Sequence, residues 1–404
     1  MMLVQIAWRN LWRNRTRSLA IMSSVALGAL AGAFLVSLYY GLGDSRLKTA
    51  LDREVSHLQI HQPAFLADNE PRYGMQRQTL ESLLKNTPQV RSFSLRCLTN
   101  GMIANATSTS GVRIYGIDPA AEDNTRGLSG FVCAGQYFDS LKKNQVLLGR
   151  RLAEKTGIRT GGKVVLSFTD TAGNIAAGAF RVCGLYQSSN GPLDETNVFV
   201  RREELSRLLG APDDIQEAAV MLRDLKTLDA TVRHLQNALP DCTVQPWQEV
   251  APEISLTVES LDVKSLVMLV IIFLALAFGI VNTMLMAVLE RTREIGVMSA
   301  LGMNKWRLFG MIQLETLFLT AAGAPFGMGA AFAIVGWLGK KGIDLSASAG
   351  NMMNKFGYDN IIYPHIPARN ALQILLIVLV TALVSGIFPA LKALALRPAE
   401  AIRR

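Results

Sequence analysis

The sequence predicts an α-helical membrane protein with four transmembrane helices and a two-lobed α+β domain inserted between helices 1 and 2. Three observations support this prediction. Half of the 404 residues are hydrophobic, and the mean hydropathy is positive. Four long stretches carry no charged residue, and each is long enough to cross about 30 Å of hydrocarbon as a helix. The region between the first two stretches, residues 41–262, is rich in charged and turn-forming residues.

The first element, residues 1–17, is predicted to be an amphipathic helix at the cytoplasmic surface of the membrane. It places Trp8 and Trp12 among four arginines, a composition typical of helices that lie on anionic lipid. Transmembrane helix 1 follows at residues 18–40. A signal peptide is the alternative, because residues 29–31 have the small-x-small form of a cleavage site. The apolar run continues beyond them and favours an uncleaved anchor, and the preceding arginines predict a cytoplasmic N-terminus.

Residues 41–262 are predicted to fold outside the cytoplasm as two lobes, the second of them an insertion at about 120–205. Short runs rich in β-branched and aromatic residues alternate there with helical patterns and turn residues. The candidate strands are 57–61, 111–117, 163–168, 179–186, 196–200 and 218–222. The candidate helices are 78–85, 150–156, 202–209 and 228–239.

The remaining elements alternate across the membrane. They are transmembrane helix 2 at 265–289, a charged cytoplasmic segment at 290–307, transmembrane helix 3 at 308–338, an external loop at 339–369, transmembrane helix 4 at 370–391 and a cytoplasmic tail at 392–404. The basic clusters fall in the segments assigned to the cytoplasm, which places both termini inside. Lys340 and Lys341 count mildly against this topology. The net charge of +9 is explained by membrane orientation, and no basic and aromatic platform for nucleic acid is visible.

The charged segment after residue 289 is the stretch around which the chain is organised. Its charges are interleaved with apolar Ile295, Val297, Met298 and Leu301, which predicts a short amphipathic helix ended by Gly302. Such a helix suits docking to a membrane surface or to a cytoplasmic partner. Because it is the largest cytoplasmic loop, we favour a protein partner. Glu315, a turn or two inside helix 3, is interpreted as a charge that completes this segment.

The four cysteines, Cys97, Cys133, Cys183 and Cys242, all lie in the external domain, where disulfides are allowed. Their spacing does not distinguish among the three possible disulfide pairings, and it matches no zinc-binding motif. Since their contexts are strand-like and apolar, we favour buried free thiols.

Two patterns resemble catalytic or ligand-binding motifs but are better explained otherwise. Residues 157–164 match G-x-x-x-x-G-K, yet Val164 replaces the hydroxyl residue of a phosphate-binding loop, so we predict a glycine-rich turn. His57 and His61 have a spacing that suits metal ligands, but they flank a strand-like run without the glutamate of a zinc protease. We interpret them as a solvated strand face. We therefore predict no catalytic site, no metal and no cofactor in this chain.

Four motifs spread over nearly the whole chain carry a family resemblance. The run 290–302, ERTREIGVMSALG, resembles the coupling segment of the FtsX-like permeases, which are membrane subunits of ABC transporters. The tail, with GIFP at 386–389 and LRPAEAI at 396–402, is similar to the C-terminal signature of that family. AWRNLWRN at 7–14 and LGRRLA at 148–153 resemble further family motifs.

The resemblance implies a dimeric permease whose domain between the first two helices is periplasmic, in the inner membrane of a bacterium. Separate cytoplasmic ABC ATPase subunits would bind ATP, and a second copy or a paralogue would complete the dimer. By resemblance, the ATPase-coupling residues are Glu290, Arg291, Arg293, Glu294, Ile295, Gly296, Leu301 and Gly302. The C-terminal signature residues are Pro389, Arg397, Pro398 and Glu400.

Three functions remain open at this point. HLQIHQP at 57–63 and IIYPHIP at 361–367 resemble the lipoprotein-releasing branch, so we expect release of lipoproteins or related lipids from the inner membrane, with a periplasmic chaperone as a possible partner. The second hypothesis is efflux of a drug, peptide or lipid with an adaptor protein. The third is transmembrane regulation of a periplasmic hydrolase. In each case the work is expected to be mechanical, and no ATPase domain is expected to be fused to this chain.

Overall fold

A computed structural model describes residues 15–188, 190–355 and 358–395. These residues form two compact units. The membrane unit is built from the chain up to residue 43, from residues 259–343 and from residue 361 onward. The domain unit is built from residues 44–258 and 344–360. Most of the predicted helix at 1–17 and the tail from residue 396 lie outside the described residues.

Four helices of the described chain are long and apolar enough to cross a membrane. They are Arg15–Thr49, Leu261–Glu290, Lys305–Lys341 and Ala368–Leu394, here named the first to fourth membrane helices. The first helix extends beyond the predicted span at 18–40 and passes into a π-helical turn at Ala50–Val55. Arg46 and Lys48 lie in its last turn, where cations interact favourably with the helix dipole. The loss of apolar character after residue 43 therefore does not end the helix.

Small residues bring the first and third membrane helices into backbone contact. A Cβ atom added at Gly327 would lie 2.2 Å from the Ala26 carbonyl oxygen, and one at Gly323 would lie 2.6 Å from the Met22 oxygen. This spacing of four residues is the small-xxx-small pattern by which helices approach closely in lipid. The third helix also contains Pro325 and runs on to Lys341, so that Lys340 and Lys341 form its last turn.

The domain unit is built on one ten-stranded sheet. The strands of the described residues, numbered in chain order, are β1 (Leu58–His61), β2 (Met75–Gln76), β3 (Val90–Ala104), β4 (Thr109–Ile117), β5 (Val132–Gly135), β6 (Gln145–Gly149), β7 (Lys163–Thr169), β8 (Ile175–Tyr186), β9 (Asn197–Arg201), β10 (Asp214–Ile215), β11 (Glu217–Leu222), β12 (Thr243–Pro246), β13 (Ile343–Asp344) and β14 (Ile361–Ile362). β2 pairs with β10 and β13 with β14, and the other ten form this sheet. The α-helices of the domain unit are Pro63–Asp68, Arg77–Lys85, Pro119–Arg126, Arg150–Thr156, Gly191–Thr196, Arg202–Leu209, Leu228–Ala238, Trp247–Val250, Pro252–Glu259 and Ser346–Lys355.

The long strand β3 joins the two lobes. Its first half pairs with β11, which continues through β1 to β12 and forms the sheet of the first lobe. Its second half pairs with β4 on one side and β7 on the other. From β4 the pairing runs through β9, β6 and β8 back to β7, which closes a six-stranded barrel. This barrel, with β5 at its side, is the second lobe.

The barrel explains why several strands are buried on both faces. Val146 and Leu148 of β6 belong to the main core cluster, whereas Leu147 between them packs with Tyr115 and Phe199 in a second cluster. Because strand side chains alternate between faces, a run such as QVLLG shows no period-two pattern. The lobe includes β4, so it begins before the predicted insertion at about 120.

All six candidate strands are present as β1, β4, β7, β8, β9 and β11, and the four candidate helices are present with small shifts at their ends. The glycine-rich motif is a turn between the helix Arg150–Thr156 and β7, with positive φ at Gly157 and Gly161. The solvated-face interpretation of His57 and His61 is wrong, because both rings are buried. β1 lies between β11 and β12 and all four of its residues are buried, so neither face of this strand is open to solvent.

The four cysteines are free thiols, as favoured from the sequence. Cys97 is buried and Cys183 and Cys242 are half-buried, so the expectation of burial is fully met only by Cys97, and it is wrong for Cys133, which is exposed on β5. In the part of the chain that the structure describes, that strand pairs only with β8, at the side of the barrel, and three of its four residues are exposed. Burial raises the pKa of the Cys97 thiol to about 12 and that of Cys183 to about 11.

Candidate functional site: the segment between the second and third membrane helices

A short helix, Thr292–Ala300, follows the second membrane helix after a break at Arg291, and we name it the connecting helix. Gly302 then reverses the chain with φ of +88°, a conformation that favours glycine. The third membrane helix begins at Lys305, where the Asn304 side chain accepts a hydrogen bond from the Trp306 backbone N–H. The predicted amphipathic helix ended by Gly302 thus has a defined start and end.

One face of the connecting helix packs into the core of the membrane unit. Ile295 and Gly296 are buried, and Met298 packs against the same core. Ile295 belongs to a cluster with Met311 and Ile312 of the third helix. This apolar contact fixes the connecting helix to the ends of the membrane helices, because burying one such side chain contributes about 1.5–3 kcal/mol.

A buried ion cluster joins three separate segments beneath the connecting helix. Glu315 of the third helix is 4% exposed. Its Oε1 accepts a hydrogen bond from Arg17 Nη2 of the first helix at 3.0 Å and from Arg291 Nη1 at 3.3 Å. Arg17 Nη1 also lies 3.9 Å from Glu290 Oε2. We name Arg17, Glu290, Arg291 and Glu315 the ion cluster.

The outer face of this segment is exposed and partly apolar. Leu301 is 83% exposed, Trp306 78% and Val297 42%. Arg293, Glu294, Lys305 and Arg307 are exposed around them. An apolar centre with charges at its rim is the composition of surfaces that dock to another protein.

The predicted coupling residues therefore divide into four groups. Ile295 and Gly296 face the core, whereas Arg291 and the more exposed Glu290 belong to the ion cluster. Gly302 makes the turn. The remaining members, Arg293, Glu294 and Leu301, are exposed.

Of the predicted C-terminal signature, Pro389 is buried in the fourth membrane helix. Arg397, Pro398 and Glu400 lie outside the described residues. The place of Glu315 beside the charged segment agrees with its interpretation from the sequence. Its contact with Arg17 is not predicted, because it joins positions 298 apart and has no local signal.

Within the described residues no group of His, Cys, Asp and Glu side chains could hold a metal ion. The segment thus combines a packed face, buried ion pairs and an exposed face with an apolar centre.

Comparison with known proteins finds a matching family model for each half of the chain. Residues 18–238 match the family model of the MacB-like periplasmic core domain. Residues 266–398 match that of the FtsX-like permease C-terminal region. The chain belongs to the FtsX-like permease family of ABC transporters. This confirms the resemblance seen in the sequence, and the four candidate membrane helices with a β-rich domain after the first confirm the predicted fold class.

Relatives of this FtsX-like permease include ABC transporter permeases of several kinds. The uncharacterized permease YvrN of Bacillus subtilis is 23% identical over 99% of this chain and 98% of its own length. The lipoprotein-releasing system transmembrane protein LolE of Haemophilus influenzae is 20% identical over 80% of each chain. The macrolide export ATP-binding/permease protein MacB of Agrobacterium fabrum is 23% identical over 92% of this chain and 59% of its own length.

Two solved structures align with part of this permease. The extracellular domain of the noncanonic ABC-type transporter YknZ from Gram-positive bacteria covers 46% of this chain and 98% of that one, with 15% identity and a TM-score of 0.35. The periplasmic region of MacB from Actinobacillus actinomycetemcomitans covers 49% of this chain and 92% of that one, with 13% identity and a TM-score of 0.36.

Proposed function

We propose that this permease transmits the work of a separate cytoplasmic ABC ATPase to its periplasmic domain by mechanical coupling. The observation that carries the proposal is the ion cluster. Through Glu315 it ties Arg291, the residue that immediately precedes the connecting helix, to the first and third membrane helices. The first membrane helix leads directly into the domain sequence. A displacement of the connecting helix is therefore passed to the helix that precedes β1.

The buried position of the ion cluster supports this role. A buried charge that loses its partner costs about 3–5 kcal/mol, so Arg17, Arg291 and Glu315 resist separation. Close packing at Gly323 and Gly327 adds a second rigid contact between the same two helices. Helices held at both contacts move together rather than slide past one another.

The orientation that we propose places the connecting helix in the cytoplasm. Arg291, Arg293, Lys305 and Arg307 lie between the second and third membrane helices, and Arg15 and Arg17 begin the first. An excess of Lys and Arg marks the cytoplasmic side of membrane proteins. The domain after the first helix is then periplasmic, in the inner membrane of a bacterium. Leu301 and Trp306 would contact the ATPase, which binds the ATP, and a second permease copy or paralogue would complete the dimer.

For the cargo we propose lipoproteins, released from the inner membrane, with a periplasmic chaperone as acceptor. Similarity to LolE and to LolC of Neisseria meningitidis, at 20% and 24% identity, supports this choice. A specific observation favours efflux with an adaptor protein as the second candidate: the model matched by residues 18–238 is that of the MacB-like periplasmic core domain.

Depletion of the protein in its own host separates the two cargoes. If it releases lipoproteins, mature lipoproteins destined for the outer membrane accumulate in the inner membrane on fractionation, and macrolide susceptibility is unchanged. If it serves efflux, sorting is normal and susceptibility to the exported compound rises. Normal lipoprotein sorting after complete depletion overturns the first proposal.

A further inference from the structure

The strand β5 leaves one of its edges open at the side of the barrel. In the described part of the chain it pairs only with β8, and Cys133, Ala134 and Gly135 are exposed. Edge strands are usually protected by lysine, proline or a covering element, because their unpaired N–H and C=O groups can pair with another chain. None of the four residues of β5 is a lysine or a proline. The coupling function proposed above does not use this edge.

A groove of about 520 Å³ lies beside β5. One wall is formed by β5, and the other by the helix Arg150–Thr156 and the glycine-rich turn that follows it. Among the lining residues Ala153 and Ile158 are buried and Leu185 is half-buried, so the deeper part of the groove is apolar. A groove of this kind can hold a short extended segment whose apolar side chains point inward.

The rim of this groove carries more positive than negative charge. Its charged lining residues are Arg150, Glu154 and Arg159. Arg150 is paired with Glu154, because its Nε donates to Glu154 Oε1 at 2.8 Å. The exposed guanidinium of Arg159 is therefore the uncompensated charge among the lining residues.

A second cavity, of about 740 Å³, lies at the carboxyl end of β5, where Gly135 and Gln136 line it. Its charged lining residues are Lys142, Lys143 and Arg181, and no carboxylate is among its described lining. Both cavities are thus lined by successive residues of β5, and both have an excess of cations. A chain that extends along β5 meets positive charge at each end.

The carboxylates close to the second cavity do not balance its charge. Asp139 lies 3.3 Å from Lys142 Nζ, and Glu204 accepts a hydrogen bond from a backbone N–H at 2.6 Å. Lys163 adds a further cation, because it stands directly opposite Arg181 in the register of β7 and β8. Counted together, six cations face three carboxylates along the two cavities. Like charges directly opposite one another in a sheet are unfavourable, and an acidic partner would relieve that repulsion.

The geometry of a strand determines which side chains such a partner needs. Successive residues of an extended chain point in opposite directions, so alternate side chains would face the apolar lining and the charged rim. β5 is short and its register shifts at Cys133, so it offers few main-chain hydrogen bonds. Charge complementarity at the rim must then supply the rest of the affinity and the specificity.

We propose that the open edge of β5 is a docking surface for an extended, acidic segment of a partner protein, which joins the sheet as a further strand. In this segment apolar and acidic residues alternate. Ala153 and Ile158 contact its apolar side chains, and Arg159 pairs with one of its carboxylates. The surface lies within the domain unit, so it depends neither on the cargo nor on the ATPase.

The test uses the full-length protein in detergent and a fluorescent synthetic peptide in which valine and glutamate alternate. One control peptide has lysine in place of glutamate, and the other has methylated backbone nitrogens, which cannot donate main-chain hydrogen bonds. We expect the glutamate peptide to bind saturably in fluorescence anisotropy and both controls to bind at least about tenfold more weakly. Equal binding of the methylated peptide overturns strand addition, and equal binding of the lysine peptide overturns the acidic segment.

Cys133 reports where the peptide lies, because it is exposed and lines the groove. Saturating glutamate peptide should slow the labelling of Cys133 by a maleimide at least about fivefold. Unchanged labelling overturns this location. Protection that is present without peptide and grows with protein concentration would show a second copy of the chain on this edge, and would overturn the proposal as well.

Charge reversal tests the rim separately from the edge. Arg159→Glu should weaken binding of the glutamate peptide at least about fivefold and strengthen binding of the lysine peptide. Arg91→Glu, at an exposed arginine near the start of β3, is the control and should change neither. Both side chains are exposed, so both variants should melt at the temperature of the wild type. Wild-type affinity of Arg159→Glu for the glutamate peptide overturns the role of Arg159.

Discussion

Gly327 of the third membrane helix lies directly against Ala26 of the first, so closely that a Cβ atom on Gly327 would sit 2.2 Å from the Ala26 carbonyl oxygen. No side chain can be accommodated there without moving one helix. The first and third membrane helices, which share the ion cluster, are therefore also in close backbone contact, and mutation can test this contact.

Gly327→Ala should lower the thermal stability of the membrane unit, because overpacking of this kind costs about 1–3 kcal/mol. Gly329→Ala is the matched control, since a Cβ there would meet nothing within 4 Å. Thermal unfolding of both variants in the same detergent measures the difference. Equal melting temperatures for the two variants would argue against close contact of these helices.

The buried network around Arg96 should make the domain sensitive to acid. Burial raises the pKa of Glu217, but Arg96 and other nearby cations outweigh burial and lower it to about 2. The folded carboxyl is thus more acidic than the unfolded one, near 4.5, so its stabilisation is present above pH 4.5 and is lost as the pH falls toward 2. Glu217→Gln should flatten the dependence of unfolding on pH in this window.

The matched control for that prediction is Glu81→Gln, because Glu81 forms an exposed pair with Lys85. Denaturant unfolding between pH 2 and 6, followed by tryptophan fluorescence, measures the effect. A Glu217→Gln protein with the same pH profile as the wild type would show that Arg96 does not hold this carboxylate ionised.

The cysteines should differ sharply in reactivity. Cys133 is exposed, whereas burial raises the pKa of Cys97 to about 12, and only the thiolate reacts. We expect a maleimide to label Cys133 first in the native protein and all four thiols after denaturation. Mass spectrometry of the labelled peptides measures both. Failure of a denatured, unreduced sample to take up four labels would reveal a disulfide.

The exposed face of the connecting segment should govern assembly. Leu301→Asp changes a side chain that is 83% exposed, so it should leave thermal stability unchanged but reduce the ATPase that copurifies with the permease at least about tenfold. Leu141→Asp, at a leucine 91% exposed in the domain unit, is the control. Wild-type recovery of ATPase with Leu301→Asp would exclude this face as the docking surface.

Much of the fold follows from patterns that a sequence displays directly. Uncharged runs located the membrane helices, and alternating strands such as β7 were found from their periodicity and turns. β6 was missed because a strand buried on both faces has no alternation. β3 is not predicted as a strand, because it changes partners midway. From the sequence alone Arg96 would be assigned to the surface, since only the fold places Glu122 and Glu217 beside it.

The sequence predicts only part of the candidate site, because some of its contacts join residues that are far apart in the chain. The connecting helix and its end at Gly302 are local features, so the spacing of charged and apolar residues predicts them. The ion cluster depends on contacts between Arg17 and Glu315 across most of the chain, which no local pattern encodes. The burial of His57 and His61 likewise depends on the place of β1 inside the sheet.

The central claim is that Glu315 couples the connecting helix to the first membrane helix, and the most direct test is transport per ATP hydrolysed by the assembled complex. Glu315→Gln is compared with Glu290→Gln, which changes the more exposed carboxylate of the same cluster, 3.9 Å from Arg17. Each complex is first checked for intact assembly with its ATPase. We predict that Glu315→Gln retains ATP hydrolysis while transport per ATP falls at least about tenfold, whereas Glu290→Gln stays near the wild type. Wild-type transport per ATP in the Glu315→Gln complex would contradict the account.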